Sequence, residues 1–150
     1  MTNEDLIEKF ESENITLAPL QKRGLAYFID EILISVLFAL IYLDQIPDNL
    51  SREETINMIN SLFFYIVLLK VLYQTFFVWM YGATLGKIFL KIKVISLSDL
   101  EKPTLLFAVN RASIRIISES LFYLGFLWAI LNPKRETWHD KVANTLVVNA

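Results

Sequence analysis

Three long apolar stretches, residues 25–43, 62–81 and 105–131, decide what this chain can become. Few polar residues break them. Asp30, Glu31 and Ser35 fall in the first, Lys70, Gln74 and Thr75 in the second, and Asn110, Arg111, Arg115 and Glu119 stand out in the third. About 30 Å of hydrocarbon, at 1.5 Å of helix rise per residue, calls for roughly 20 mostly apolar residues. The first two stretches, at 19 and 20 residues, fit that length. Helices buried in a soluble bundle would each keep a solvated charged face, and residues 36–43 and 62–69 have none. The composition agrees: 55% of residues are apolar and the mean hydropathy is +0.45, where soluble domains hold roughly 45–50% apolar residues. The sequence therefore predicts an all-α membrane protein: a small helical bundle with two full spans, a third broken or re-entrant helical segment, and a short β pairing. It reads as a single domain over 1–150.

We expect the first stretch to be a retained span, not a cleaved leader. A secretory signal starts basic, whereas residues 1–20 carry Glu4, Asp5, Glu8, Glu11 and Glu13 against Lys9. That opening reads as a short amphipathic helix, with a capping box from Thr2 to Asp5 and with Leu6 and Phe10 on one face. It either lies on the membrane surface or frays.

Lys and Arg near span ends set orientation. The first flank holds Lys9, Lys22 and Arg23, residues 44–61 hold Arg52, residues 82–104 hold Lys87, Lys91, Lys93 and Lys102, and residues 132–150 hold Lys134, Arg135 and Lys141. This pattern places both ends and residues 82–104 on the cytoplasmic side of the cytoplasmic membrane. Three plain crossings would contradict it. The 27-residue third stretch offers a resolution, in which a charged first half re-enters or lies at the interface and an uncharged second half bends back. A plain third crossing is the alternative. Two further signals fit this layout. Ser51 and Glu54 form a capping box that starts a helix before the second span. The alternation from Lys91 to Leu97 and the β-branched run at 145–148 would pair as strands on the cytoplasmic side.

The apolar stretches hold Asp30, Glu31 and Glu119 against Lys70, Arg111 and Arg115. Unpaired, six such groups would cost about 15–20 kcal/mol on insertion scales, more than a typical domain's whole stability. They must pair, reach an interface, or line water. Arg111, Arg115 and Glu119 form one helical stripe, and Arg23 and Asp30 share a face two turns apart. We expect the stripe to face Asp30 across an interior polar seam, with Lys70 met by Glu31 or Asp30. Such a seam either holds helices together or forms a proton or cation path.

Arg23, Ala26 and Asp30 open the first span; Gly82, Thr84, Leu85, Gly86 and Lys87 follow the second; Arg111 and Arg115 lie in the third stretch; His139, Asp140, Lys141, Ala143, Thr145 and Val147 lie near the end. Over residues 20–149 this resembles the RDD family of small membrane proteins, named for one arginine and two aspartates. The resemblance puts these at Arg23, Asp30 and Asp140. It implies either cation/proton exchange or assistance to neighbouring membrane proteins. One departure is Asn144, where the family pattern has glycine.

The remaining motifs exclude more than they suggest. Without Cys there is no disulfide, thiolate zinc site or thiol nucleophile. The segment 82–87 is one residue short of a phosphate loop and follows no strand; Gly82 and Gly86 read as turn formers. His139, the one histidine, leaves no metal set. We expect no cofactor, no catalytic site and no nucleic-acid partner. Residues 137–140 read as a capping box; alternatively Asp140 meets Arg111 or Arg23 while His139 titrates near neutral pH. Several Tyr and Trp residues suit an interfacial belt. Two functions follow. One is a transporter subunit, which needs a homo-oligomer to enclose a path. The other is a non-transporting module that assists the assembly or stability of a partner membrane protein. The bilayer is the partner common to both.

Overall fold

The computed structural model describes residues 3–150. The Thr2–Asp5 capping box lies outside the described residues, as does the pairing of the Leu6 side chain with Phe10. Helices α1 (Asn3–Ser12), α2 (Leu20–Tyr42) and α3 (Arg52–Tyr81) come first. The short α4 (Leu85–Phe89) leads to strand β1 (Ile92–Ser96). Then follow α5 (Leu105–Ser120), α6 (Leu124–Leu131), α7 (Trp138–Val142) and strand β2 (Thr145–Asn149).

Among the described residues, two helices are long and apolar enough to cross a membrane: α2, extended by a 3₁₀ turn to Gln45, and α3. The second is longer than the apolar stretch predicts. Ser51 accepts from the Glu54 amide at 3.3 Å while Glu54 accepts from the Ser51 amide at 2.9 Å, so the helix starts at Arg52 and continues unbroken for 30 residues. Gly82 ends it with φ of 68°, the left-handed conformation that glycine adopts without a Cβ penalty.

The third apolar stretch is a bent pair. Helices α5 and α6 meet at 101°, so it is not one straight crossing. The break at 121–123 contains Phe122 (φ 54°) and Tyr123 (φ 60°), a conformation uncommon for bulky residues. It is held from several sides. The Tyr123 amide donates to the Ser118 carbonyl at 2.9 Å, and the Tyr27 hydroxyl lies 3.2 Å from that of Tyr123. Gly125 lets α6 fold back, since a Cβ there would sit 2.4 Å from Ser118 Oγ.

Strands β1 and β2 pair antiparallel, Ile92 opposite Asn149 and Ser96 opposite Thr145. Leu17, just before α2, bridges to Val148. The start of α2, the end of α3 and both strands therefore share one end of the molecule. Asn144, in the glycine position of the resemblance, is left-handed at φ 50°; Asn tolerates this conformation better than most side chains. Phe10 of α1 packs with Ile95, Leu146 and Val148, so this helix is formed and docks on the strand pair instead of fraying.

Burial is inverted relative to a soluble domain. Asp30, Arg111 and Asp140 are at most 1% exposed, while Leu40 is 76% and Phe63 is 65% exposed. Polar groups inside and apolar groups outside is the arrangement hydrocarbon surroundings require.

Candidate functional site

The interior charges gather in three clusters. The first is a ring across three helices. Lys70 of α3 pairs with Glu31 of α2 at 2.7 Å and with Glu119 of α5 at 3.0 Å. Arg115 of α5 pairs with the same two acids, at 3.4 Å to Glu31 and 3.1 Å to Glu119. Acid and base alternate around it, and each carboxylate oxygen has a cationic donor. Arg115 also donates to Gln74 and lies 4.7 Å above the ring of Tyr27, a favourable cation–π distance.

The second cluster centres on Asp140. Arg111 of α5 and Arg23 of α2 both pair with it. The Thr137 amide donates to the same carboxylate at 3.0 Å, closing the capping box of α7. Arg111 also donates to Thr145 of β2 at 2.8 Å, tying helix to strand. Burial opposes the Asp140 charge, but Arg111 and then Arg23 hold its carboxyl well below the usual range.

The third cluster is Asp30. It accepts from the Tyr73 hydroxyl at 2.7 Å, the Thr84 hydroxyl at 2.6 Å and the Gly86 amide at 2.8 Å. This corrects the seam expected from the sequence. The stripe on α5 does not pair with Asp30: Arg115 and Glu119 meet Glu31 and Lys70, and Arg111 meets Asp140. Lys70 is met by Glu31, not Asp30. Consecutive helical residues point about 100° apart, so Glu31 turns toward α3 and α5 while Asp30 faces α4. Gly86 makes that approach possible, because a Cβ there would sit 2.2 Å from the Ala26 carbonyl oxygen. Its role is this close contact, not the turn read from the sequence. The arginine and second aspartate of the resemblance, Arg23 and Asp140, are joined; the first aspartate stands apart.

Sequence reasoning gave Tyr73, Thr84 and Lys87 no place in the interior network, although Thr84 and Lys87 stand among the residues that carry the resemblance. Tyr73 reads as one more aromatic near a span end, and only its position one turn below Phe77 hints at an inward face. Lys87 counted as a loop cation for orientation, yet it is buried. Burial, and then the nearby Arg111 and Arg115, push its ammonium well below the usual lysine range. His139 is likewise buried. Burial and then Arg111 hold its imidazole well below its ordinary value, which favours the neutral form. No set of metal-ligating side chains occurs among the described residues.

A cavity of about 270 Å³ lies where the clusters meet, with Arg23, Asp30, Lys87 and Arg115 on its walls.

Comparison with known proteins agrees with this architecture. The model of the RDD family matches residues 17–144. An uncharacterised protein of Rickettsia prowazekii (strain Madrid E) is 30% identical over 73 residues, which is 48% of this chain and 40% of that protein. The chain thus covers well under two thirds of that relative. No solved structure matches.

Proposed function

We propose that this chain, which belongs to the RDD family, is a membrane module that works by binding a partner membrane protein, not by conducting cations and not by catalysis. The ring of Glu31, Lys70, Glu119 and Arg115 carries this reading. A cation path needs carboxylate oxygens free to exchange ligands. Here every oxygen of Glu31 and Glu119 is engaged by Lys70 or Arg115, and both oxygens of Asp30 already accept hydrogen bonds, three in all. Breaking one buried pair costs about 3–5 kcal/mol, so the network is a staple between helices. The count of Lys and Arg supports an orientation with the strand-bearing end in the cytoplasm, where Val142 is 56% exposed and suits a docking surface.

A second reading, carriage of protons or cations in a homo-oligomer, is favoured by the cavity that reaches Asp30. One experiment separates them. The protein is reconstituted in vesicles with a pH-sensitive dye, and a photo-crosslinking side chain is placed at Val142 in cells. We expect no ion-driven proton flux above empty vesicles and one recurrent membrane-protein adduct. Flux that Asp30→Asn abolishes would overturn the module reading.

A further inference from the structure

The cavity has a chemistry that the three clusters do not use. Each cluster supplies one wall: Arg23 from the Asp140 cluster, Arg115 from the ring, and Asp30 from the third. The fourth charged wall, Lys87, belongs to none. It is 8% exposed, and it takes part in no ion pair of the described residues. Three cationic side chains and one carboxylate therefore line the space, and that carboxylate already accepts from Tyr73, Thr84 and Gly86. A buried cation without a partner is costly, and an anion in the cavity relieves the cost. A space of this size is just under the roughly 300–1,000 Å³ of small-molecule sites. The remaining wall is mostly apolar, with Tyr27, Tyr123 and Thr137 also on it. Gly24 of α2 and Ile130 of α6 lie on it, and Ile130 is 66% exposed, so the mouth lies between two helices with apolar outer faces.

We propose that this cavity binds a phosphoryl group, seated between Arg23, Lys87 and Arg115, and that the apolar mouth passes the acyl portion of an anionic phospholipid. A lysine ammonium is a point-charge phosphate binder, and the two guanidinium groups add charge without leaving their own partners. Burial, and then the nearby Arg111 and Arg115, weaken the hold of Lys87 on its proton; an oxyanion beside it opposes that effect. The proposal does not rest on the module reading, and neither flux nor a missing adduct would touch it.

The test uses the full chain, delipidated in an uncharged detergent. Inorganic phosphate, phosphatidylglycerol and phosphatidylcholine are titrated separately, and occupancy is read by native mass spectrometry alongside the unfolding temperature. Two variants accompany the parent. Lys87→Met removes the unpaired cation at similar volume. Gly24→Leu fills the mouth from a position where an added Cβ meets nothing within 4 Å. We expect one phosphatidylglycerol per chain, bound about tenfold or more tightly than phosphatidylcholine. Each variant should weaken it by a similar factor without lowering the unfolding temperature. Inorganic phosphate binding alone, lost in Lys87→Met, would keep the oxyanion site and assign it to a free phosphate. Binding that both variants leave unchanged, equal binding of the two lipids without phosphate binding, or no binding at all would overturn the proposal. Should Lys87→Met fail to fold, Gly24→Leu decides.

Discussion

The Asp140 carboxylate does two jobs that compete on paper. It caps α7 through the Thr137 amide and pairs with two arginines. A carboxylate offers about four lone-pair sites, so the cap and the ion pairs, alternatives when read from the sequence, coexist. His139 beside it shows what this charge cluster does to a neighbour. Its ring lies 5.1 Å from that of Phe126, it is buried, and its pKa is lowered. Below roughly pH 6.5 an unfolded histidine takes a proton that the folded one refuses. The unfolded state then binds more protons, so stability falls as pH drops through that window, by up to about 1.4 kcal/mol per pH unit. Asp140 contributes differently. Its depressed carboxyl adds stability that is present above its unfolded pKa near 3.9 and lost only at lower pH. Unfolding in uncharged detergent between pH 7 and 4.5 should therefore be steeper for the parent than for His139→Gln. Parallel profiles would mean that the folded histidine ionises normally.

Among the elements, the bends depend on glycines whose reasons differ, and substitution should rank them. Alanine at 86 would drive a Cβ against the Ala26 carbonyl oxygen, a backbone atom that has little room to move; overpacking of this kind costs about 1–3 kcal/mol. Alanine at 125 meets Ser118 Oγ, a side-chain end that can rotate, although Ser118 Cβ is also near at 3.0 Å, so its cost should be smaller. Alanine at 24 meets nothing and should stabilise the helix by about 0.5–1 kcal/mol. Thermal unfolding of the three variants checks the order, and a harmless Gly86→Ala would remove the close approach that aims Gly86 at Asp30. Elements were the most legible level of this molecule. Length and hydropathy located both spans, the Ser51 and Thr137 capping boxes gave two helix starts, and the charge on one half of residues 105–131 pointed to a bend. The bend's place was not legible, because Phe122 and Tyr123 hold left-handed angles for tertiary reasons. The start at Arg52 was legible from Ser51 and Glu54; that the same helix runs without a break to Tyr81 was not, because hydropathy marks only the apolar part of a helix.

At the scale of the whole molecule, charge balance told which residues had to pair but not how they divided. Asp30 and Glu31 are adjacent in sequence and identical in that bookkeeping, yet one goes to hydroxyls and an amide and the other to two cations. Only the rotation of α2 against α3, α4 and α5 separates them. Lys87 was illegible for a related reason: a loop lysine and a buried one look alike until α4 folds onto α2. The result is three separate fastenings. The ring joins α2, α3 and α5, the Asp140 cluster joins α2, α5 and α7, and Asp30 joins α2, α3 and α4. Glu119 lies eight residues along α5, about 12 Å, from Arg111, which holds Asp140, so Glu119 and Asp140 should act independently. Double-mutant cycles measure this. Lys70→Met with Glu119→Gln, partners at 3.0 Å, should show a coupling on the order of 1–3 kcal/mol, and Glu119→Gln with Asp140→Asn should be additive within about 0.5 kcal/mol. Strong coupling in the second pair would make the interior one continuous polar seam, through which a proton could be relayed, and would return weight to transport.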